Sequence, residues 1–267
     1  MHDLNVTLVQ SDIIWEDGAA NREMFAEKIA STNQKTDVYV LPEMFNSGFS
    51  MRSKVLAEEM DGPSIAWMRE WSRNSGADIA ASLIIHEHGN YFNRLVWMRP
   101  DGDHFCYDKR HLFRMAGEHK HFTAGERRIV VHSRGWRICP LICYDLRFPV
   151  WSRSRGDYDA LVYVANWPEP RRAAWNILLA ARAVENQCVV IGVNRTGEDG
   201  TGKRYAGDSA VYDARGEKIS RIRPYENGTE RVTLSAEDLN DYRNTFEVGL
   251  DADAFTLEPV ERKNHEE

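Results

Sequence analysis

Ile138-Cys139-Pro140-Leu141-Ile142-Cys143-Tyr144-Asp145 is an apolar run that reaches a cysteine and turns abruptly polar. Such a run predicts a buried strand over 137–143 with Cys143 at its carboxyl end. Two other reactive residues stand in similar places. Glu43 follows Val38-Tyr39-Val40-Leu41, a run closed by Pro42, and Lys109 follows Phe105-Cys106-Tyr107. Alpha/beta folds collect reactive groups at strand ends because the sheet holds the emerging loops rigid. Thiol, carboxylate and ammonium are also a coherent chemical set: a nucleophile, an acceptor for its proton and a cation to face an oxyanion.

Outward from these points, strand and helix patterns interleave. Apolar runs and period-two alternation predict strands over 4–9, 38–41, 79–85, 91–98, 104–107, 129–132 and 137–143. Further strands are expected over 161–164, 188–193, 209–213, 218–222 and 231–234. Helical spacing follows an N-cap at Asp17, runs from Pro63 to near Gly76, and recurs over 171–187 and 236–245. His88-Gly89-Asn90 and Ala214-Arg215-Gly216-Glu217 read as hairpin turns. The mixed stretch 109–126 reads as a functional loop, and Asn166-Trp167-Pro168-Glu169-Pro170 breaks regular structure. No linker or repeat interrupts the pattern. One α/β domain is expected over 1–258, followed by a charged tail over 259–267.

Composition bounds the function. The chain has 267 residues, 42% hydrophobic and 28% charged, enough to bury a substantial core without disulfide or metal staples. Its 34 Lys+Arg against 41 Asp+Glu give a net charge of −7, which disfavours a nucleic-acid partner. Met1-His2-Asp3-Leu4-Asn5-Val6 lacks the basic and long apolar regions of a signal peptide, and no run is long enough to span a membrane. Four cysteines (Cys106, Cys139, Cys143, Cys188) are too few for a disulfide framework, so a reduced, cytoplasmic protein is expected. The charge is also uneven. Residues 107–155 carry eleven Lys/Arg against four Asp/Glu, a local excess suited to drawing in an anion.

The surroundings of the three reactive residues resemble the nitrilase superfamily of carbon–nitrogen hydrolases. The resemblance is carried by Leu41-Pro42-Glu43-Met44-Phe45, by Tyr107-Asp108-Lys109-Arg110-His111-Leu112-Phe113, and by Leu141-Ile142-Cys143-Tyr144-Asp145-Leu146-Arg147-Phe148-Pro149. Gly117-Glu118, Phe122-Thr123-Ala124-Gly125, Asn166-Trp167-Pro168 and Ala181-Arg182-Ala183-Val184-Glu185-Asn186-Gln187 support it in the same order. The resemblance implies a four-layer α-β-β-α sandwich that pairs into homodimers through helices. It makes Glu43 the general base, Lys109 the oxyanion-stabilising lysine and Cys143 the nucleophile. Glu118 matches the second glutamate, which orients the lysine and takes part in proton traffic. Lys109 and the backbone N–H of Tyr144 would form the oxyanion hole.

Within the superfamily, Cys143-Tyr144-Asp145-Leu146-Arg147-Phe148-Pro149 with Asn166-Trp167-Pro168 is most similar to the omega-amidase branch. That implies hydrolysis of small 2-oxo-acid amides, such as 2-oxoglutaramate and 2-oxosuccinamate, to the 2-oxo dicarboxylic acid and ammonia. Such a substrate carries a carboxylate, for which Arg147, Arg171 and Arg114 are the candidate cations. Phe45, Phe113, Asn166 and Trp167 are candidate walls of its pocket. An N-carbamoyl amino acid amidohydrolase, an aliphatic amidase or a nitrilase would share the reactive residues.

A zinc or redox protein is the reading from a different class, prompted by His86-Glu87-His88, His119-Lys120-His121 and Cys139 with Cys143. These lack the HExxH and paired C-x-x-C spacings, so no metal and no cofactor are expected. On an extended strand Cys139 and Cys143 stand too far apart for a disulfide. A papain-like pair needs a histidine beyond Cys143, where only His265 occurs, in the expected tail.

Overall fold

A computed structural model describes residues 1–257 of the chain, and the expected tail over 259–267 lies outside the described residues. The first half runs β1 (Leu4–Gln10), α1 (Gly18–Ala30), β2 (Val38–Val40), α2 (Ser53–Leu56), α3 (Pro63–Ser75), β3 (Asp78–Glu87), β4 (Asn90–Met98) and β5 (His104–Asp108). The second half runs β6 (Val131–Ser133), β7 (Trp136–Ile142), α4 (Pro149–Ser152), β8 (Ala160–Ala165), α5 (Arg172–Asn186) and β9 (Val189–Asn194). It closes with β10 (Thr196–Glu198), β11 (Arg204–Ala206), β12 (Ala210–Tyr212), β13 (Gly228–Leu234) and α6 (Ala236–Thr245).

The strands form two large sheets, ordered β13-β1-β2-β3-β4-β5 and β12-β9-β8-β7-β6. Period-two alternation decides what lies on either face of the first. Leu4, Val6 and Leu8 of β1, Val38 and Val40 of β2, and Leu95 and Trp97 of β4 join residues of the second sheet in one buried core. Their neighbours Val9, Tyr39, Val96 and Met98 face the other way, onto Phe25 and Ile29 of α1 and Ile65 and Met68 of α3. On the second sheet's outer face, Trp175, Leu179 and Ala183 recur every four residues along α5 and are buried against β9. Gly192 of β9 lets that helix approach, because a Cβ there would lie 2.6 Å from Leu179 and 2.9 Å from Trp175. The result is the four-layer α-β-β-α sandwich.

Strand direction sets where the loops gather. β1, β2 and β3 are mutually parallel, and β5 returns through two antiparallel steps to the same direction. Glu43 and Lys109 therefore leave the first sheet at the same edge. β7, β8 and β9 are likewise parallel and release Cys143, Asn166 and the residues after Asn194 at one edge of the second. Pro140 fits inside β7 because β6 pairs only as far as Ile138 on that side.

Two sequence expectations change. Over 218–222 only Lys218 bridges to Tyr212, and the Glu230 carboxylate accepts from the backbone N–H groups of Arg221 and Ile222 in place of a strand ladder. The hairpin β10–β11 was not anticipated, since its six residues carry no apolar alternation. Among the described residues no helix is long and apolar enough to cross a membrane.

The sheets are also pinned by a polar contact at the opposite, amino-terminal edge of β3. One oxygen of Asp78 accepts from Trp97 Nε1 on β4 at 2.8 Å and from Ser133 Oγ on β6 at 2.7 Å. Burial pushes the Asp78 carboxyl above its ordinary range, with both hydrogen bonds opposing. Asp78→Ala would orphan both donors in the interior, at about 1–3 kcal/mol for each. Urea denaturation is expected to show that loss, and an unchanged midpoint would remove Asp78 from the account of intersheet stability.

Candidate functional site

The turn after β2 carries Glu43, the loop after β5 carries Lys109 and Glu118, and the turn after β7 carries Cys143. All four side chains meet between the sheets. Lys109 Nζ donates to Glu43 Oε1 at 2.8 Å and to both oxygens of Glu118 at 3.0 Å. Glu43 and Glu118 are wholly buried, Lys109 is 1% exposed and Cys143 8%. Cys143 stands beside the other three, close enough for the Glu43 charge to act on its thiol.

Backbone strain aims two of these residues. Cys143 has φ of 45° and Met44, directly after Glu43, has φ of 46°. Non-glycine residues held there cost about 1–3 kcal/mol each, and surrounding structure must hold them. At Cys143 the left-handed step ends the strand and starts a tight turn over Cys143–Arg147, whose first N–H groups lack acceptors within the turn. Near Met44, Asn166 grips Glu43: its N–H donates to Oε2 at 2.8 Å and its Nδ2 to the Glu43 backbone carbonyl.

Asp145 joins the cysteine turn to the lysine loop. Its Oδ1 accepts from the backbone of His111 at 2.9 Å and lies 2.7 Å from His111 Nδ1. Its Oδ2 accepts from Tyr107 Oη at 2.7 Å and from Ile142 N at 3.1 Å. Cys143 and Lys109 are therefore held in register by a buried acid that touches neither. Neither Asp145 nor Asn93, which donates to both glutamates, stood out in the sequence. Each carries its meaning only through contacts far along the chain.

Electrostatics follow from burial. Burial alone lowers the Lys109 ammonium's pKa, but Glu118 and Glu43 outweigh it and raise it above the ordinary value. Burial pushes Glu118 above the ordinary carboxylate range against the pull of Lys109. For Cys143, burial and then the Glu43 charge push the thiol well up, and Lys109 offsets only part of this.

A cavity of about 660 Å³ opens over Cys143 and Lys109. Phe113, Tyr144, Arg147, Asn166, Trp167 and Arg171 line it. Arg147 stacks over Trp167 at 5.2 Å and Arg171 over Phe113 at 5.1 Å. Among the described residues neither forms an ion pair with a carboxylate, and Asp145 is engaged by His111 and Tyr107 instead. Phe45 is a correction. It is wholly buried against Phe25 and Trp67 on the helix side of the first sheet, away from the cavity. Arg114 is exposed and outside the cavity lining. Trp15, Phe49 and Tyr205 join the walls without a sequence signal.

Comparison with known proteins agrees with this geometry. The family model for carbon-nitrogen hydrolases matches residues 5–244. The omega-amidase YafV of Yersinia enterocolitica is 46% identical over 96% of this chain and 100% of its own. The 2-oxoglutaramate amidase of Bacillus subtilis is 32% identical over 87% of this chain and 89% of its own. A crystal structure of a CN-hydrolase superfamily protein from Xanthomonas campestris, with an arsenic adduct in its active site, superposes with a TM-score of 0.94. It is 44% identical, covering 97% of this chain and 100% of that one.

The raised thiol makes a direct prediction. Because burial and two neighbouring carboxylates favour the neutral form, Cys143 is expected to rest as a thiol at neutral pH. The ultraviolet thiolate absorbance of the native protein and of Cys143→Ala should then coincide at neutral pH. A thiolate signal lost in the variant would contradict it.

Proposed function

Because the chain belongs to the carbon–nitrogen hydrolase family, in its omega-amidase-like branch, and is a hydrolase of carbon–nitrogen bonds, we propose that it is a cytoplasmic omega-amidase. Its substrates are small 2-oxo-acid amides such as 2-oxoglutaramate and 2-oxosuccinamate. The products are the 2-oxo dicarboxylic acid and ammonia.

The reaction uses the floor of the cavity in two halves. Cys143 sulfur attacks the amide carbon as its proton passes to Glu43, whose charge acts on the thiol. The carbonyl oxygen becomes an oxyanion facing Lys109 Nζ and the Tyr144 N–H. Donors of that kind are worth roughly 100- to 1,000-fold in kcat elsewhere. Glu43 then returns the proton to the leaving nitrogen, the C–N bond breaks, and ammonia departs from a thioester. Water, deprotonated by Glu43, cleaves the C–S bond, releasing the acid and the thiol. Glu118 fixes and charges Lys109.

One observation carries the substrate class: Arg147 and Arg171 line the same cavity as Cys143, each stacked on an aromatic wall and without a carboxylate partner among the described residues. Stacking presents a guanidinium edge for bidentate binding of a carboxylate. The homodimer implied by the resemblance is supported by the outward face of α5, where Ile177 is 66% and Val184 50% exposed.

Two measurements test this reading. Cys143→Ala should abolish ammonia release from 2-oxoglutaramate, and retained activity would refute the thioester route. Arg147→Ala should raise KM for 2-oxoglutaramate by about 10-fold or more with kcat little changed, matching loss of a charged hydrogen bond of about 1.5–3 kcal/mol. An unchanged KM would remove Arg147 from carboxylate binding. Hydrolysis of N-carbamoyl amino acids in place of 2-oxoglutaramate would move the protein to another branch.

A further inference from the structure

Asn93, wholly buried on β4, does not line the cavity but binds the two glutamates that hold Lys109, which does. Its Nδ2 donates to Glu43 Oε1 at 2.7 Å and to Glu118 Oε1 at 3.3 Å. The amide is oriented by its other end. Asn93 Oδ1 accepts from Ser82 Oγ at 2.9 Å, and that hydroxyl in turn accepts from Met44 N at 2.9 Å. The chain Met44–Ser82–Asn93 therefore links the strained turn behind Glu43 to both carboxylates.

Counting donors shows what this does. A carboxylate oxygen has room for about two donors. Both oxygens of Glu118 are full: Oε1 holds Lys109 and Asn93, and Oε2 holds Lys109 and the Phe113 N–H at 2.5 Å. Glu43 Oε1 is also full, with Lys109 and Asn93. Among the described residues, Glu43 Oε2 holds only the Asn166 N–H. Of the four oxygens of the two glutamates that hold Lys109, one can take a proton without displacing an existing donor.

We propose that Asn93 is a positioning residue that saturates Oε1 of both glutamates and so reserves Glu43 Oε2 for the proton of Cys143. The assignment rests on Glu43 as proton acceptor but not on the identity of the substrate. A neutral donor is required at this place. A cation would cancel the net −1 of Glu43, Glu118 and Lys109 and hold Glu43 ionised against the thiol's proton, and a carboxyl would add a third acid to Glu43 and Glu118. Removing the donor withdraws a bond that favours the charged form of both carboxylates.

The test reads the rate of Cys143 alkylation by iodoacetamide against pH, resolved from Cys106 by peptide mass spectrometry. Hydrolysis of 2-oxoglutaramate and thermal melting are measured alongside. Asn93→Ala is expected to move the acid limb of both profiles to higher pH. It should lower kcat by roughly 10- to 100-fold, part of the 100- to 10,000-fold that a general base supplies, with KM nearly unchanged. Asn93→Asp should move the limb further, and Ser82→Ala should move it in the same direction by less. A folded Asn93→Ala protein whose acid limb coincides with that of the native enzyme would overturn the assignment. If Asn93→Ala does not fold, an unmoved limb in Ser82→Ala overturns it instead. A shifted alkylation limb in a protein that leaves 2-oxoglutaramate intact would uphold Asn93 and refute the substrate reading.

Discussion

The structure is organised around one costly arrangement: the Lys109 ammonium buried between the Glu43 and Glu118 carboxylates. Removing three charges from water costs several kcal/mol per ion, which mutual attraction offsets only if the remaining lone pairs are also satisfied. With all three charged, the cluster carries a net charge of −1, so its surplus acceptors need neutral donors. The Asn166 and Phe113 backbone N–H groups and the Asn93 amide supply them. These donors come from β4, from the turn after β8 and from the loop after β5. No single sheet could bring them together. The facing of two sheets is what makes the cluster affordable.

The same convergence explains where strain is tolerated. Met44 and Cys143 both adopt left-handed backbone conformations, one beside the carboxylate and one bearing the thiol. Neither turn is free to relax. Met44 N is bound by Ser82, and the cysteine turn is clasped by Asp145 to Tyr107 and His111 of the lysine loop. Asp145 also accepts from Ile142 N, the last residue of β7. A shift of the cysteine turn would therefore break bonds to the strand and to the lysine loop together. Rigidity at this point comes from cross-links between segments distant along the chain, with local propensity opposing it.

That distinction also marks what the sequence made legible. The strand ends that carry Glu43, Lys109 and Cys143 were readable because apolar runs and their abrupt ends are local signals. The four-layer stacking came with the family resemblance, and the alternation of Val38, Tyr39 and Val40 between two cores agrees with it. Asn93 was not readable, since an asparagine in a half-apolar strand looks the same whether it meets solvent or two carboxylates. Asp145 stands two residues from Arg147 yet pairs with residues 34 and 38 positions away. Phe45 was misplaced for a related reason. It is two residues from Glu43, yet the strained turn sends its side chain to the opposite face of the sheet, onto Phe25 and Trp67.

The charge asymmetry first seen along the chain acquires a spatial meaning. Lys109, Arg147 and Cys143 belong to the basic segment 107–155, but the lysine is consumed by two acids while Arg147 remains available on the wall, joined by Arg171. The cavity thus carries Arg147 and Arg171 on its wall and ends at Lys109, whose cluster with the two acids behind it is net −1. A molecule with a neutral amide at one end and a carboxylate at the other is stabilised in only one direction, amide down. Entering carboxylate first would place like charges together in a low-dielectric site. In the proposed reaction the same gradient acts on the product. Hydrolysis converts the neutral amide into a carboxylate at the floor, directly beside Glu43 and Glu118, and repulsion there favours release. For the proposed substrate, burying two acids around one lysine would therefore serve orientation on the way in and expulsion on the way out.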